Sequence, residues 1–317
     1  MNRRQPFITE SYYKSLVSLY DSSEEFWHDK DLEEDAPGQE ASLKAYEYKQ
    51  DALSALIIRY TAGEPIESLI QPLEKVILNF ERYQSALANY EQVANISPLA
   101  IEDWPGEYEE CVQVISLCIL LHRIDLLQRF VALLDNAGYA GEDTLYEDLL
   151  RKVLPGRNDL DEWYHDLYTP LIRAIYAPTK EEASALLKLY CDQWYSAFED
   201  KQTNWHDTHL DIDGDEGSYY GYWAFEAAAI AFLYDIDDSE VDHMVYPKDL
   251  VAYARNFRSS SASQIGRVEA GQPCPKAGYW FTPAQANSRR AFKQGEIMPA
   301  YEGSRWGATL WYWSAEL

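Results

Sequence analysis

Residues Gly214 to Ala254 read GDEGSYYGYWAFEAAAIAFLYDIDDSEVDHMVYPKDLVAYA, and within them residues 219–234 hold a single ionisable acid, Glu226. A helix over that window would be about 24 Å long. Because it is apolar on every side, it belongs inside a domain. The stretch therefore predicts a central buried helix, 219–234. Ala227, Ala228, Ala229 and Ala231 would let neighbouring helices approach, while Tyr219, Tyr222, Trp223, Phe225, Phe232 and Tyr234 would fill the larger gaps.

Both flanks of this stretch are acidic. Upstream stand Asp207, Asp211, Asp213, Asp215 and Glu216, where carboxylates suit a helix N-terminus as well as water. Downstream stand Asp235, Asp237, Asp238, Glu240 and Asp242, with no Lys or Arg in 235–242, although a helix C-terminus favours cations. Two explanations stand side by side. Asp238 or Ser239 caps a following short helix and the rest are solvated, or the acids form a surface for a basic partner.

Composition bears on both. The 317 residues carry a formal charge of −26, and residues 265–317 alone are weakly basic, so the acidity is concentrated in the first 264. Such a field repels nucleic acid and anionic membranes and steers basic proteins inward. Cys111, Cys118, Cys191 and Cys274 have neither disulfide-framework nor zinc spacing, and no run approaches the length of a membrane span. The two N-terminal arginines are followed by no apolar signal segment, so a cytoplasmic location is expected.

Working outward, helical spacing covers residues 8–30, 40–60, 66–89, 108–121, 126–134 and 143–153, with Pro- or Gly-containing breaks between several of them. After Leu154-Pro155-Gly156 come helices predicted over 160–176, kinked at Pro170, and over 180–199, started by Thr179. A last helix runs to about Phe257. From Ile265 onward, Gly and Pro punctuate short aromatic runs, which predicts strands at 278–282, 296–298 and 308–313. The expected fold is mainly α, a two-part helical bundle with a small β-rich C-terminal appendage. Its expected parts are 1–155, 156–262 and 263–317.

The motifs for chemistry are weak. Asp211 to Gly217 alternates oxygen ligands with glycine, but counted from Asp211 the sixth and twelfth positions are Glu216 and Tyr222, not the Gly and Glu of an EF-hand. His206 and His209 lack the i, i+4 spacing and glutamate of a zinc helix. Glu226 is the candidate for a perturbed carboxylate, expected to pair with an arginine or with tyrosine hydroxyls rather than to catalyse. Phosphate loops, nucleophile elbows and Rossmann glycines are absent from the sequence. No catalytic residue, metal or cofactor is expected. Trp205, Tyr219 and Tyr220 are candidates for interface anchors or for core.

The run Gly221 to Ala229, with Leu233 to Ser239 and Tyr246-Pro247-Lys248-Asp249-Leu250-Val251, resembles the C-terminal domain of the PoNi family. These are bacterial immunity proteins that protect against polymorphic nuclease toxins of secretion systems. Tyr46, Tyr48, Asp51 and Leu53 are compatible with that family's N-terminal helical domain, so the resemblance spans about residues 40–257. Cys274 to Thr282, Ser288 to Arg290, Gly295 to Pro299 and Gly307 to Trp311 are similar to an appendage found at type VI effector and immunity loci.

The resemblance implies a non-enzymatic protein that binds a cognate toxin, a type VI secretion nuclease effector with a DNase domain, and the acidic charge implies binding to neither nucleic acid nor membrane. The ten carboxylates of the two flanks are the expected partner-binding residues. A helical adaptor or a hydrolytic enzyme are the alternative readings.

Overall fold

Apolar residues at helical spacing build most of the chain into helices. A computed structural model describes residues 1–32, 36–201, 203–263, 267–282, 285, 288–301 and 309–315. Its helices are α1 (Glu10–Asp21), α2 (Ser23–His28), α3 (Gln39–Thr61), α4 (Ile70–Glu91), α5 (Pro105–Leu120), α6 (Ile124–Asp135), α7 (Thr144–Arg151), α8 (Thr169–Ile175), α9 (Lys180–Ala197), α10 (Phe225–Leu233) and α11 (Lys248–Ser263). Four strands follow: β1 (Arg267–Glu269), β2 (Gly278–Phe281), β3 (Arg290–Phe292) and β4 (Leu310–Ala315). The fold is mainly α with a small β-rich part at its C-terminal end.

Local chemistry explains several boundaries. Thr9, Asp143 and Thr179 cap α1, α7 and α9, each accepting from a backbone N–H three residues on. Pro105 opens α5. Pro170 likewise sits in the first turn of α8, so it starts a short helix instead of kinking the long one predicted over 160–176.

Residues Met1–Ala254 form one unit and Arg255–Leu317 a second. Within the first, α3 pairs with α4, α8 pairs with α9, and α10 packs on α5, α7, α8 and α9. One hydrophobic core runs from Ile8 to Ala254 and crosses residue 155, so the boundary expected there does not separate two cores. The break at Leu154 to Asp159 is tied back into the same unit. Arg157 pairs with both Glu147 at 2.7 Å and Asp135 at 2.6 Å. In the second unit, the sheet order is β1-β4-β2-β3, antiparallel throughout, around Cys274, Trp280, Phe292, Met298 and Trp311. The strand predicted at 296–298 is a single bridge between Ile297 and Pro273, and position 308 of the last predicted strand lies outside the described residues.

The central helix is shorter than predicted. Residues 219–224 are buried, Tyr220 partly, but irregular rather than helical, because distant side chains occupy their backbone groups. Gln5 Nε2 donates to the Tyr222 carbonyl at 2.5 Å, and Gln5 Oε1 accepts from the Tyr222 N–H at 2.9 Å. Thr61 Oγ1 donates to the Tyr220 carbonyl at 2.6 Å, Tyr12 donates to that of Tyr219 at 2.8 Å, and the Ala224 N–H donates to Val245. Gly221 makes this approach possible. Its φ is +137°, and a Cβ there would lie 2.2 Å from Thr61 Oγ1. At its other end, α10 stops at Asp235, whose φ of 53° is the left-handed turn that Asp tolerates, and the Ile236 N–H returns to the Ala231 carbonyl.

Candidate partner-binding surface

α9 is the frame on which the acidic residues are placed. Its inner face buries Leu187, Tyr190, Cys191 and Trp194. Near its C-terminal end, Trp194 stacks on Trp205 of the following loop, with centroids 4.7 Å apart. Trp205 and Tyr219 are therefore core, whereas Tyr220 is partly buried. Tyr195 completes the anchor. Its ring stacks on His206 and its hydroxyl donates to Asp207 Oδ1 at 2.5 Å, which holds that carboxyl below its ordinary range.

From this anchor the chain runs out into solvent. Asp207, Asp211, Asp213, Asp215 and Glu216 are all exposed. Asp213 and Glu216 exchange backbone hydrogen bonds of 3.0 Å in both directions, closing a tight turn over Gly214 and Asp215. Leu210, in the same loop, is 70% exposed. Among the described residues no Lys or Arg pairs with Asp211, Asp213, Asp215 or Glu216. The histidines of the loop are engaged: His206 Nε2 lies 3.1 Å from the Tyr195 carbonyl and His209 Nδ1 2.7 Å from the Tyr222 hydroxyl.

The second acidic stretch is more structural than expected. Asp235 supplies the helix stop, and Asp237 Oδ1 accepts from the Ser239 N–H at 3.0 Å. Asp238 is 6% exposed and accepts from the Tyr246 hydroxyl at 2.7 Å, so it leaves the predicted surface. No short helix follows it. Asp235, Asp237, Glu240 and Asp242 are exposed. The structure does not merge the two stretches. Asp235 lines a shallow cleft with Thr179 and Lys180 at the start of α9, whereas Asp207 is bound to Tyr195 near its end. The intervening helix is about 25 Å long.

Beneath the surface lies a carboxyl pair of which the sequence reading identified one member. Glu226 is fully buried, and its Oε1 accepts from the Tyr190 hydroxyl at 2.7 Å and the Trp194 indole at 2.9 Å. These are the tyrosine-type partners expected, without an arginine. Its Oε2 has no hydrogen-bond partner among the described residues, and burial pushes the carboxyl up to about 7. Glu109 of α5 accepts from the Trp205 indole at 3.0 Å and from Gln113. Burial first, and the charge of Glu226 second, hold it well above the usual carboxylate range. Glu109 and Glu110 are the functional candidates that sequence reasoning missed. As acids in the first turns of an apolar helix they read as ordinary partners of the helix dipole.

Residues 141–250, from just before α7 into α11, match the family model described as PoNe immunity proteins (PoNi), C-terminal. Over that segment, about a third of the chain, the sequence is similar to the PoNi C-terminal family. The matched segment holds α10, the Trp194–Trp205 stack and both acidic stretches, so the matched region and the exposed carboxylates coincide. A comparison with curated protein sequences gave no match. Among solved structures, the crystal structure of protein PA2201 from Pseudomonas aeruginosa is similar, with a TM-score of 0.62 and 19% identity over 81% of this chain and 93% of that one. That likeness speaks for the fold. Among the described residues no helix is long and apolar enough to cross a membrane.

Proposed function

We propose that the protein neutralises a cognate nuclease toxin, a DNase effector of a type VI secretion system, by presenting the acidic loop 207–217 to the toxin's basic substrate-binding surface in the cytoplasm. The observation that carries this reading is the group Asp211, Asp213, Asp215 and Glu216, exposed without a cationic partner among the described residues and set beside the exposed Leu210. A nuclease displays Lys and Arg to hold phosphates, and an acidic surface steers onto that charge and excludes DNA. Asp207 orients the loop through Tyr195. Asp235, Asp237, Glu240 and Asp242 extend the acidic field along α9 toward the same partner. The role is binding, and no catalytic residue of this chain is invoked.

The test is calorimetric titration against the catalytically inactive toxin domain encoded by the neighbouring gene, at low and moderate salt, with DNA cleavage by the active toxin followed in parallel. Tight binding that weakens with salt and abolishes cleavage is expected. Tight, salt-insensitive binding that leaves cleavage intact rules out the acidic plug, and no binding rules out the immunity role.

A further inference from the structure

Beside the root of the acidic loop the surface opens into a cavity of about 220 Å³. Tyr46 of α3, Trp104 at the start of α5, Trp205 and Tyr220 supply its aromatic walls, and Glu107 and Glu109 line it together with Glu110. The nearby cation Lys49 is already committed. Its Nζ is 2.7 Å from Glu110, and the side chain is buried. Among the described residues that pair leaves the carboxyls of Glu107 and Glu109 without a cation. Thr203 Oγ1, on the same wall, is shielded from solvent and has no hydrogen-bond partner among the described residues. Trp104 is 47% exposed, so one side of its indole is open to a ligand entering the cavity.

The cavity is smaller than the roughly 300–1,000 Å³ typical of sites for whole small molecules. It suits one long side chain. Electron-rich aromatic faces attract a cation from above and below, and carboxyls receive its N–H groups in the plane. A guanidinium meets both demands, since it stacks on indoles and presents a planar set of donors, while an ammonium offers only a point charge. Position agrees with chemistry. Thr203, Asn204 and Trp205 of the cavity wall lead directly into Asp207, so a partner lying on the acidic loop covers the cavity mouth.

We propose that this cavity receives an arginine side chain projecting from the toxin. The proposal rests on the toxin-binding reading above and adds to it a specific anchor. The guanidinium stacks on the exposed Trp104 while Trp205, already stacked on Trp194, lines the cavity; Glu107 and Glu109 accept from its N–H groups, and Thr203 supplies a further acceptor. Burial first, and the Glu226 charge second, push the Glu109 carboxyl upward, and an arriving cation would act in the opposite direction.

The experiment uses the full chain labelled with ¹⁵N at its tryptophans, titrated with N-acetyl-arginine amide and, separately, with its neutral isostere N-acetyl-citrulline amide. Saturable shifts confined to the Trp104 and Trp205 indole N–H signals are expected with the arginine probe and not with citrulline. Glu107→Gln, which keeps the acceptor for the Ala100 N–H, and Trp104→Ala at the exposed rim should each weaken the probe about fivefold or more. Equal shifts with both probes, or no saturable shift, overturn the site. The same Trp104→Ala variant is then titrated with the inactive toxin domain. A loss of about tenfold supports the arginine anchor, and unchanged toxin affinity overturns it. If the wild-type chain binds arginine amide but no toxin, the cavity stands as a guanidinium site while the functional reading and its arginine donor both fall.

Discussion

Trp194 and Trp205 stack with ring centroids 4.7 Å apart and planes 13° from parallel, and their indole nitrogens donate to different glutamates, Trp194 to Glu226 and Trp205 to Glu109. The stack thus joins α9, the acidic loop, α5 and α10 through two rings. Surface and interior are mechanically linked at this point. Trp205→Phe would keep much of the ring contact and remove the donor to Glu109, at a cost of about 1–3 kcal/mol for the deprived buried group. Hydrogen exchange should show the loss of protection concentrated in residues 203–217. A lowered melting temperature with unchanged protection of that loop would argue against the anchor.

Glu226 predicts an inverted pH dependence. Its carboxyl ionises at about 7 in the folded chain against about 4.5 in the unfolded one. Between those values the unfolded state binds fewer protons, so stability falls as pH rises. The contribution is fully present below about 4.5 and is lost through 7. Its full size is of order 3 kcal/mol. Glu226→Gln keeps an acceptor for Tyr190 and Trp194 and removes the titration. Denaturant unfolding at pH 5 and pH 8 should therefore show a smaller loss in the variant than in the wild type. An equal loss in both would assign the pH dependence elsewhere.

The legible parts of the fold were those written in neighbouring residues. Thr179 before Lys180, Pro105 before an apolar run and Pro65 after Gly63 all mark helix ends through local chemistry, and α3, α4, α5 and α9 fall close to where spacing puts them. Residues 219–224 failed that test for a non-local reason. Their composition suits a buried helix, but Gln5 and Thr61, more than 150 positions away, take their backbone groups, and only Gly221 hints at it. The acidic surface was partly legible. Asp211 to Glu216 are exposed as their polarity suggests, whereas the burial of Asp238 depends on Tyr246 and could not be separated from its acidic neighbours by composition.

Lys49 offers a direct measure of what a buried charge requires here. Its Nζ pairs with Glu110 and lies within about 5.1 Å of the Tyr46 and Phe80 ring centroids. Lys49→Met leaves the Glu110 carboxyl uncompensated in the interior, and a loss of about 3–5 kcal/mol is expected. The double variant Lys49→Met, Glu110→Leu should recover much of that loss, because no charge then remains to be solvated. Chemical denaturation of the three proteins decides it. A double variant as unstable as the single would mean that packing of the lysine stem, rather than the charge, is what the core needs.

Charge reversal separates steering from structure. Asp211, Asp213 and Asp215 are exposed and have no cationic partner among the described residues, so Asp211→Lys, Asp213→Lys and Asp215→Lys together should leave unfolding within about 0.5 kcal/mol of the wild type. Association with the toxin domain should slow by about tenfold or more at low salt, with a much smaller change in dissociation. Asp238→Ala should do the opposite, because it removes the acceptor for the Tyr246 hydroxyl inside the fold: stability falls by about 1–2 kcal/mol while the association rate holds. Stopped-flow association measured with equilibrium unfolding on the same two variants distinguishes these patterns. If the triple reversal leaves association unchanged at low salt, the loop 207–217 is not the steering surface, and the toxin must approach another face of the PoNi-type segment.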